Sequence, residues 1–225
     1  MDNPACDREL LLKTVRQFEG INRLLSASRR LIKKHLVSHM QPGTDRPYTL
    51  LDIGAGGGDI ACWLADYCEK REINISITCL DNDPRIAEFA RQNISGRRNV
   101  EVLEASVFDL PESGQYDFIF SNHFLHHFAK EDILRIINRL LPATRTTLLM
   151  NDLLRSKLSY LGYRLFAALF LRSSFAAWDG ALSIRRGFLP SEAEELLSST
   201  ERPDLLEVRR AAPGRIYILG NFGAD

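Results

Sequence analysis

From residue 48 to residue 152, short and almost continuously apolar runs alternate with segments whose apolar residues recur at three and four positions. "YTLLDIG", "ISITCLD", "NVEVLEAS", "YDFIFSN" and "TTLLMND" read as strands. Residues 59–70, 84–93 and "KEDILRIINRLLP" read as helices, the last closed by its proline. Strands that are apolar throughout need cover on both faces, and strands joined through helices run parallel. The pattern predicts a doubly wound, mostly parallel α/β sheet.

The flanks complete that sheet. Residues 8–40 carry Leu10, Leu11, Val15, Phe18, Ile21, Leu24 and Leu25 at helical spacing and predict one or two helices, ended by "QPGTDRP". After residue 152 comes a helical, aromatic-rich insertion at about 153–178, then a helix over "PSEAEELLSS". Two last strands, "LLEVRRA" and "RIYILGNF", are joined by "APG", a junction tight enough for antiparallel pairing, which brings the strand count to seven. With 225 residues the chain is expected to form one domain: a helical cap (1–42), a core (48–152), a helical lid (153–186) and a C-terminal helix with its strand pair (187–225).

Lysine plus arginine balance aspartate plus glutamate at 29 each, so no global field favours a nucleic-acid partner. Cys6, Cys62, Cys68 and Cys79 form no CxxC pair and have no histidines at metal spacing, which suits a reduced, cytoplasmic chain with no metal. The start, "MDNPACDREL", is acidic where an export signal would be basic and then apolar. Arg164 and Arg172 interrupt the greasiest stretch, leaving it short of the roughly 20 residues of a membrane span.

"LLDIGAGGGDIACWLA" packs four glycines into positions 54–58, where the first strand hands over to the first helix. That is where doubly wound sheets bind ligands. Glycine permits a tight turn and lets a ligand lie against the backbone. A dinucleotide fingerprint would require glycine at position 59, which is aspartate, so a pyrophosphate cofactor is disfavoured. The pattern is Asp52-x-Gly54-x-Gly56-x-Gly58.

In this form, and with four further stretches in matching order, residues 48–153 resemble the class I S-adenosylmethionine-dependent methyltransferases, a Rossmann-like fold. The resemblance implies S-adenosylmethionine as cofactor, S-adenosylhomocysteine as product, and a cofactor site of Asp52, Gly54, Ala55, Gly56 and Gly58. Asp81, ending "ITCLD", would hold the adenosyl ribose, with Asn82 beside the adenine. Ser106 stands where the family carries an aspartate near the adenine amino group, with the Val107 N–H beside it. Ser121 and Asn122 lie toward the methionine moiety, and "SNHF" replaces the Asn/Asp-Pro-Pro-aromatic run of DNA amino-methyltransferases.

His123, His126 and His127 raise the question of a general base, with His123 and His127 the better candidates and a structural turn the alternative. Asn151 and Asp152 would face the acceptor or cap the next helix. The family resemblance places the N-terminal helices and the insertion over the strand ends as a lid, and the aromatic lining implies an apolar small-molecule acceptor. Tyr163, Trp178, Asp179, Ser183 and Arg186 are the acceptor-contact candidates, Asp179 with Arg185 or Arg186 being equally an ion pair. The expected activity is methyl transfer to a hydroxyl of a phenolic, polyketide-like or lipid-like metabolite. The alternatives are C-methylation of a quinol-like ring, a non-catalytic nucleoside-binding module, and an NAD-dependent oxidoreductase, which Asp59 opposes. A monomer or homodimer is expected.

Overall fold

The computed structural model describes residues 7–111, 116–171 and 175–222. Its helices are α1 (Arg8–Leu25), α2 (Ser28–His35), α3 (Asp59–Glu69), α4 (Pro84–Asn93), α5 (Lys130–Ala143), α6 (Lys157–Phe170), α7 (Ala176–Arg186) and α8 (Pro190–Ser198). Its strands are β1 (Tyr48–Ile53), β2 (Ile75–Asp81), β3 (Val100–Glu104), β4 (Tyr116–Asn122), β5 (Thr144–Leu153), β6 (Leu206–Ala211) and β7 (Arg215–Asn221). They form one sheet in the order β3-β2-β1-β4-β5-β7-β6. The sheet is parallel from β3 to β5, and β7 runs antiparallel to both β5 and β6. The doubly wound seven-stranded sheet is thus the observed fold.

Successive strand residues point to opposite faces, so each apolar strand feeds two cores. Leu50, Ile77, Phe118 and Phe120 pack with Leu31, Ile32, Ile60 and Leu64 of α2 and α3 on one face. On the other, Leu51, Ile53, Ile119 and Leu148 meet Ile133, Ile136 and Leu140 of α5. A third, smaller cluster joins Ile21 of α1 to Leu153, Tyr163, Ala167 and Ile184 above the strand ends.

Three segments differ in detail from the sequence expectation. The N-terminal helical stretch breaks at Ala27, whose φ is +57°, after Ser26 turns its hydroxyl back to the Asn22 carbonyl. Pro142 lies inside the last turn of α5 rather than beyond it, and β5 begins at once at Thr144. The insertion is two helices, and the second extends to Arg186. Gly180 allows them to close, since a side chain there would run into the Tyr163 hydroxyl, which donates to the Ala176 carbonyl at 2.5 Å. Cys6 and Arg172 lie outside the described residues. Among the described residues no helix is long and apolar enough to cross a membrane.

At the N-terminal edge of the sheet, the buried Asp117 accepts from both guanidinium nitrogens of Arg46 (2.7 and 2.8 Å) and from the Thr49 N–H and hydroxyl. Burial pushes this carboxyl up, but those donors outweigh it and hold it below the ordinary value. A depressed folded-state value means stability that is complete above the ordinary carboxylate range and is lost as the pH falls through it. Asp117→Asn should therefore lower unfolding stability at neutral pH by about 2 kcal/mol, with the gap closing in acid. Urea titrations at neutral and acidic pH check this. Ligand binding at the opposite sheet edge should be unchanged.

Candidate active site

The chain order reverses at β1, which has β2 on one side and β4 on the other. The loops after β1 and β4 diverge there and leave a crevice at the carboxyl ends of the strands. The β1–α3 turn forms its floor. Gly54, Gly56 and Gly58 have φ of +65°, +56° and +73°, a region that disfavours other residues. A Cβ on Gly54 would lie 2.6 Å from the Phe124 ring, so that turn also needs the missing side chain for packing. At Gly56 no atom lies within 4 Å of where a Cβ would be, so its backbone is open to the crevice.

Asp81 ends β2 at the rim of this turn. Its Oδ2 accepts from the Gly56 N–H at 3.1 Å and its Oδ1 from the Asp83 N–H at 3.0 Å. Burial raises its carboxyl above the ordinary value while those two N–H groups oppose the shift. Asp83, as its position suggests, caps α4 by accepting from the Arg85 N–H at 2.9 Å. Two further acids lie behind the turn. Asp52 is 3% exposed, and burial together with Asp59 and Asp81 drives its carboxyl well up. Asp59 is pushed up to about 6 by burial, with a hydrogen bond from Asn22 opposing. Concentrated carboxylates of this kind lower their mutual cost when a cationic ligand enters.

A chain of amides ties α1 across the opening. Asn22 donates to Asp59 (3.2 Å), Asn122 donates to the Asn22 carbonyl oxygen (3.0 Å), and Asn151 donates to Asn122 (2.7 Å) and to the Ser26 carbonyl (2.7 Å). The sequence reading marked Asn122 and Asn151 singly, while Asn22 carried no signal beyond its place in a helix.

The histidine turn is organised differently from the expectation. His123, at φ +60°, is half-buried, and its Nε2 is sealed without a partner. Burial, reinforced by Arg215, holds it neutral, well below the ordinary imidazole value. His127 is exposed at the mouth. Between them His126 is buried, and its Nδ1 lies 2.7 Å from Asp152 Oδ1. Asp152 also accepts from the His126 and Leu153 N–H groups. Burial pushes the Asp152 carboxyl up, but the charge and hydrogen bond of His126 override it and keep it ionised. The His126 Nε2 is buried and has no hydrogen-bond partner. A contact spanning 26 residues leaves no trace in local sequence, which is why His126 stood behind its neighbours.

The crevice measures about 1430 Å³. Single small-ligand sites are typically about 300–1,000 Å³, so this one accommodates two molecules. Asp52, Gly54, Ala55, Gly56, Asp81 and Asn82 line one end. Phe18, Ile21, Leu25, Tyr163 and Phe166 line the other, with His123, His126 and Asn122 near the middle. Trp178, Asp179, Ser183 and Arg186 also line it, Trp178 being 70% exposed at the rim. Tyr163 presents its ring, since its hydroxyl is engaged by Ala176. Four expected cofactor positions, Gly58, Ser106, Val107 and Ser121, lie off the lining. Ser106 accepts from the Phe108 N–H and caps a short turn that buries Val107, and Ser121 is buried within β4. Gly58 is also buried and precedes α3 in the left-handed conformation.

The open Gly56 backbone, the Asp81 carboxylate and the acidic floor fit a nucleoside that carries a cationic group. Asp81→Ala should weaken S-adenosylhomocysteine binding by about 1.5–3 kcal/mol in calorimetric titration. S-adenosylmethionine, being cationic at sulfur, should bind more tightly above about pH 6 than below it, because protonation of Asp59 removes a nearby negative charge. Asp59→Asn should flatten that pH dependence.

Residues 50–146 match the family model described as a methyltransferase domain. The malonyl-[acyl-carrier protein] O-methyltransferase of Halalkalibacterium halodurans is 27% identical over 114 residues, 49% of this chain and 41% of that protein. The ubiquinone/menaquinone biosynthesis C-methyltransferase of Methylobacterium nodulans is 30% identical over 113 residues, 48% of this chain and 44% of the relative. The matches thus span less than half the length of these curated relatives. The crystal structure of a SAM-dependent methyltransferase from Aquifex aeolicus superposes with a TM-score of 0.65 at 15% identity, over 97% of this chain and all of that one. The matched segment holds both the glycine turn and Asp81, and the sheet around it has the same fold as the Aquifex structure. Residues 50–146 thus match a methyltransferase domain, and the chain as a whole has the fold of a SAM-dependent methyltransferase.

Proposed function

We propose that the protein transfers a methyl group to a hydroxyl of a small, largely apolar acceptor of phenolic, polyketide-like or lipid-like type. The observation that carries this reading is the buried His126–Asp152 pair on the lining of a largely apolar chamber, with the second imidazole nitrogen buried and without a hydrogen-bond partner. A hydroxyl is a weak nucleophile until its proton leaves, and an imidazole oriented by a carboxylate is a group that takes such a proton. The cofactor, when bound, supplies a methyl group already activated on a sulfonium. Asp81 and the open Gly56 backbone hold the nucleoside, and Asp52 and Asp59 face its cationic end. His126 takes the acceptor proton at Nε2, and Asp152 stabilises the imidazolium that results. Phe18, Ile21 and Leu25 of α1 keep water from the acceptor, and the amide chain fixes α1 in place. His123, held neutral by burial, and His127, exposed, flank this base rather than replace it.

The names of the relatives divide between oxygen and carbon acceptors. Product analysis with phenols, hydroxylated polyketides and quinols therefore comes first, and methyl found on ring carbon would replace the hydroxyl reading. With an O-methylated product in hand, His126→Asn should lower kcat by about 10²–10⁴-fold, with S-adenosylhomocysteine binding retained. Asp152→Asn should lower kcat in the same direction by a smaller factor, with S-adenosylhomocysteine binding again retained. An unchanged kcat in His126→Asn removes His126 as base.

A further inference from the structure

Arg215 opens β7, paired with Leu153 of β5 and so one residue beyond Asp152. It is 2% exposed. Its Nε donates to the Leu25 carbonyl at 2.9 Å, at the end of α1, while its Nη1 is buried with no hydrogen-bond partner. Burial draws the guanidinium down to about 10, against the charge of Asp152, so it remains a cation at neutral pH. Asp152 does not supply the missing bond: Oδ1 is engaged by His126 Nδ1 and the Leu153 N–H, and Oδ2 by the His126 N–H. His123, the other titratable neighbour, is neutral. Arg215 is among the residues that line the crevice, as are Leu25, Tyr163 and Phe166.

A buried cation with an idle donor is costly unless an anion completes it. Leu25, Tyr163, Phe166, Leu158 and Leu182 give the same crevice a large apolar lining, so the anion is expected as one end of a largely apolar molecule. The planar guanidinium fork matches a carboxylate better than it matches a single hydroxyl. We propose that Arg215 is the anchoring site for a carboxylate on the acceptor, which it binds at the end of the chamber while the methyl-accepting hydroxyl lies toward His126. The anchored carboxylate is distinct from the attacking oxygen, because a guanidinium bonded to the nucleophile would withdraw the electron pair that must attack. The inference builds on the methyl-transfer reading above and selects hydroxylated carboxylic acids from among the apolar acceptors.

The test is calorimetric titration with para-butylbenzoate and its neutral isostere para-butylbenzamide, each with and without saturating S-adenosylhomocysteine. Wild-type protein should bind the carboxylate about tenfold more tightly than the amide. Arg215→Gln should bring the two to equal affinity without changing that for the amide, and Arg215→Lys should keep part of the preference. Equal affinity for the two probes in wild-type protein overturns the assignment, as does no carboxylate binding at millimolar concentration or a preference that survives in Arg215→Gln. Wild-type protein alone decides the first two outcomes, so a misfolded variant does not obscure them. Failure of S-adenosylhomocysteine to bind would sink the methyl-transfer reading instead, and the probe pair would still report on Arg215.

Discussion

The reversal of strand order at β1 is the constraint on which the rest depends. Strands paired parallel on both sides of β1 end together, and the connections on its two sides must part above that edge. Each strand entering the crevice then carries a polar residue near its carboxyl end: Asp52 on β1, Asp81 on β2, Asn122 on β4, Asp152 on β5. Inside the sheet any of these would be an uncompensated buried group. At the edge Asp81, Asn122 and Asp152 each find backbone N–H groups or a neighbour's side chain. Arg215 enters the same space from the opposite direction because β7 is antiparallel to β5.

The crevice is electrically divided as a result. Its floor under the glycine turn gathers Asp52, Asp59 and Asp81, whose ionisation burial opposes, while an imidazole–carboxylate pair and a guanidinium lie on the β5–β7 side. The amide chain from Asn22 to Asn151 runs between them. Amides accept and donate without titrating, so this divide couples α1 to both ends without adding a charge of its own.

The fold was legible because a parallel sheet covered on both faces leaves near-continuous apolar runs that alternate with helical periodicity, and glycines mark the end of β1. The glycine-turn end was the easier to read, because Asp52, the glycines and Asp81 are fixed by position along single elements. Ser106 and Val107 were named from the resemblance, but the serine hydroxyl is used to cap its own turn. The acceptor end was less legible because it is assembled from distant segments. Nothing local pairs His126 with Asp152, and nothing links Asn22 to Asn122 across 100 residues. Arg215 left a faint mark, as the one charge opening an otherwise apolar strand, "RIYILGNF".

The seam between α6 and α7 has a consequence for how such a protein changes over generations. Tyr163 and Gly180 key the two helices to each other, through the Ala176 carbonyl and the space left by the absent side chain, rather than to the sheet. Leu158, Gly162, Phe166 and Leu182 line the crevice from these two helices without belonging to the strand edge that carries the acids. Substitutions among them reshape the chamber while the residues around the glycine turn stay as they are. Selection on what is methylated and selection on what donates the methyl group therefore fall on separate sets of residues, and new acceptors can be acquired without rebuilding the core.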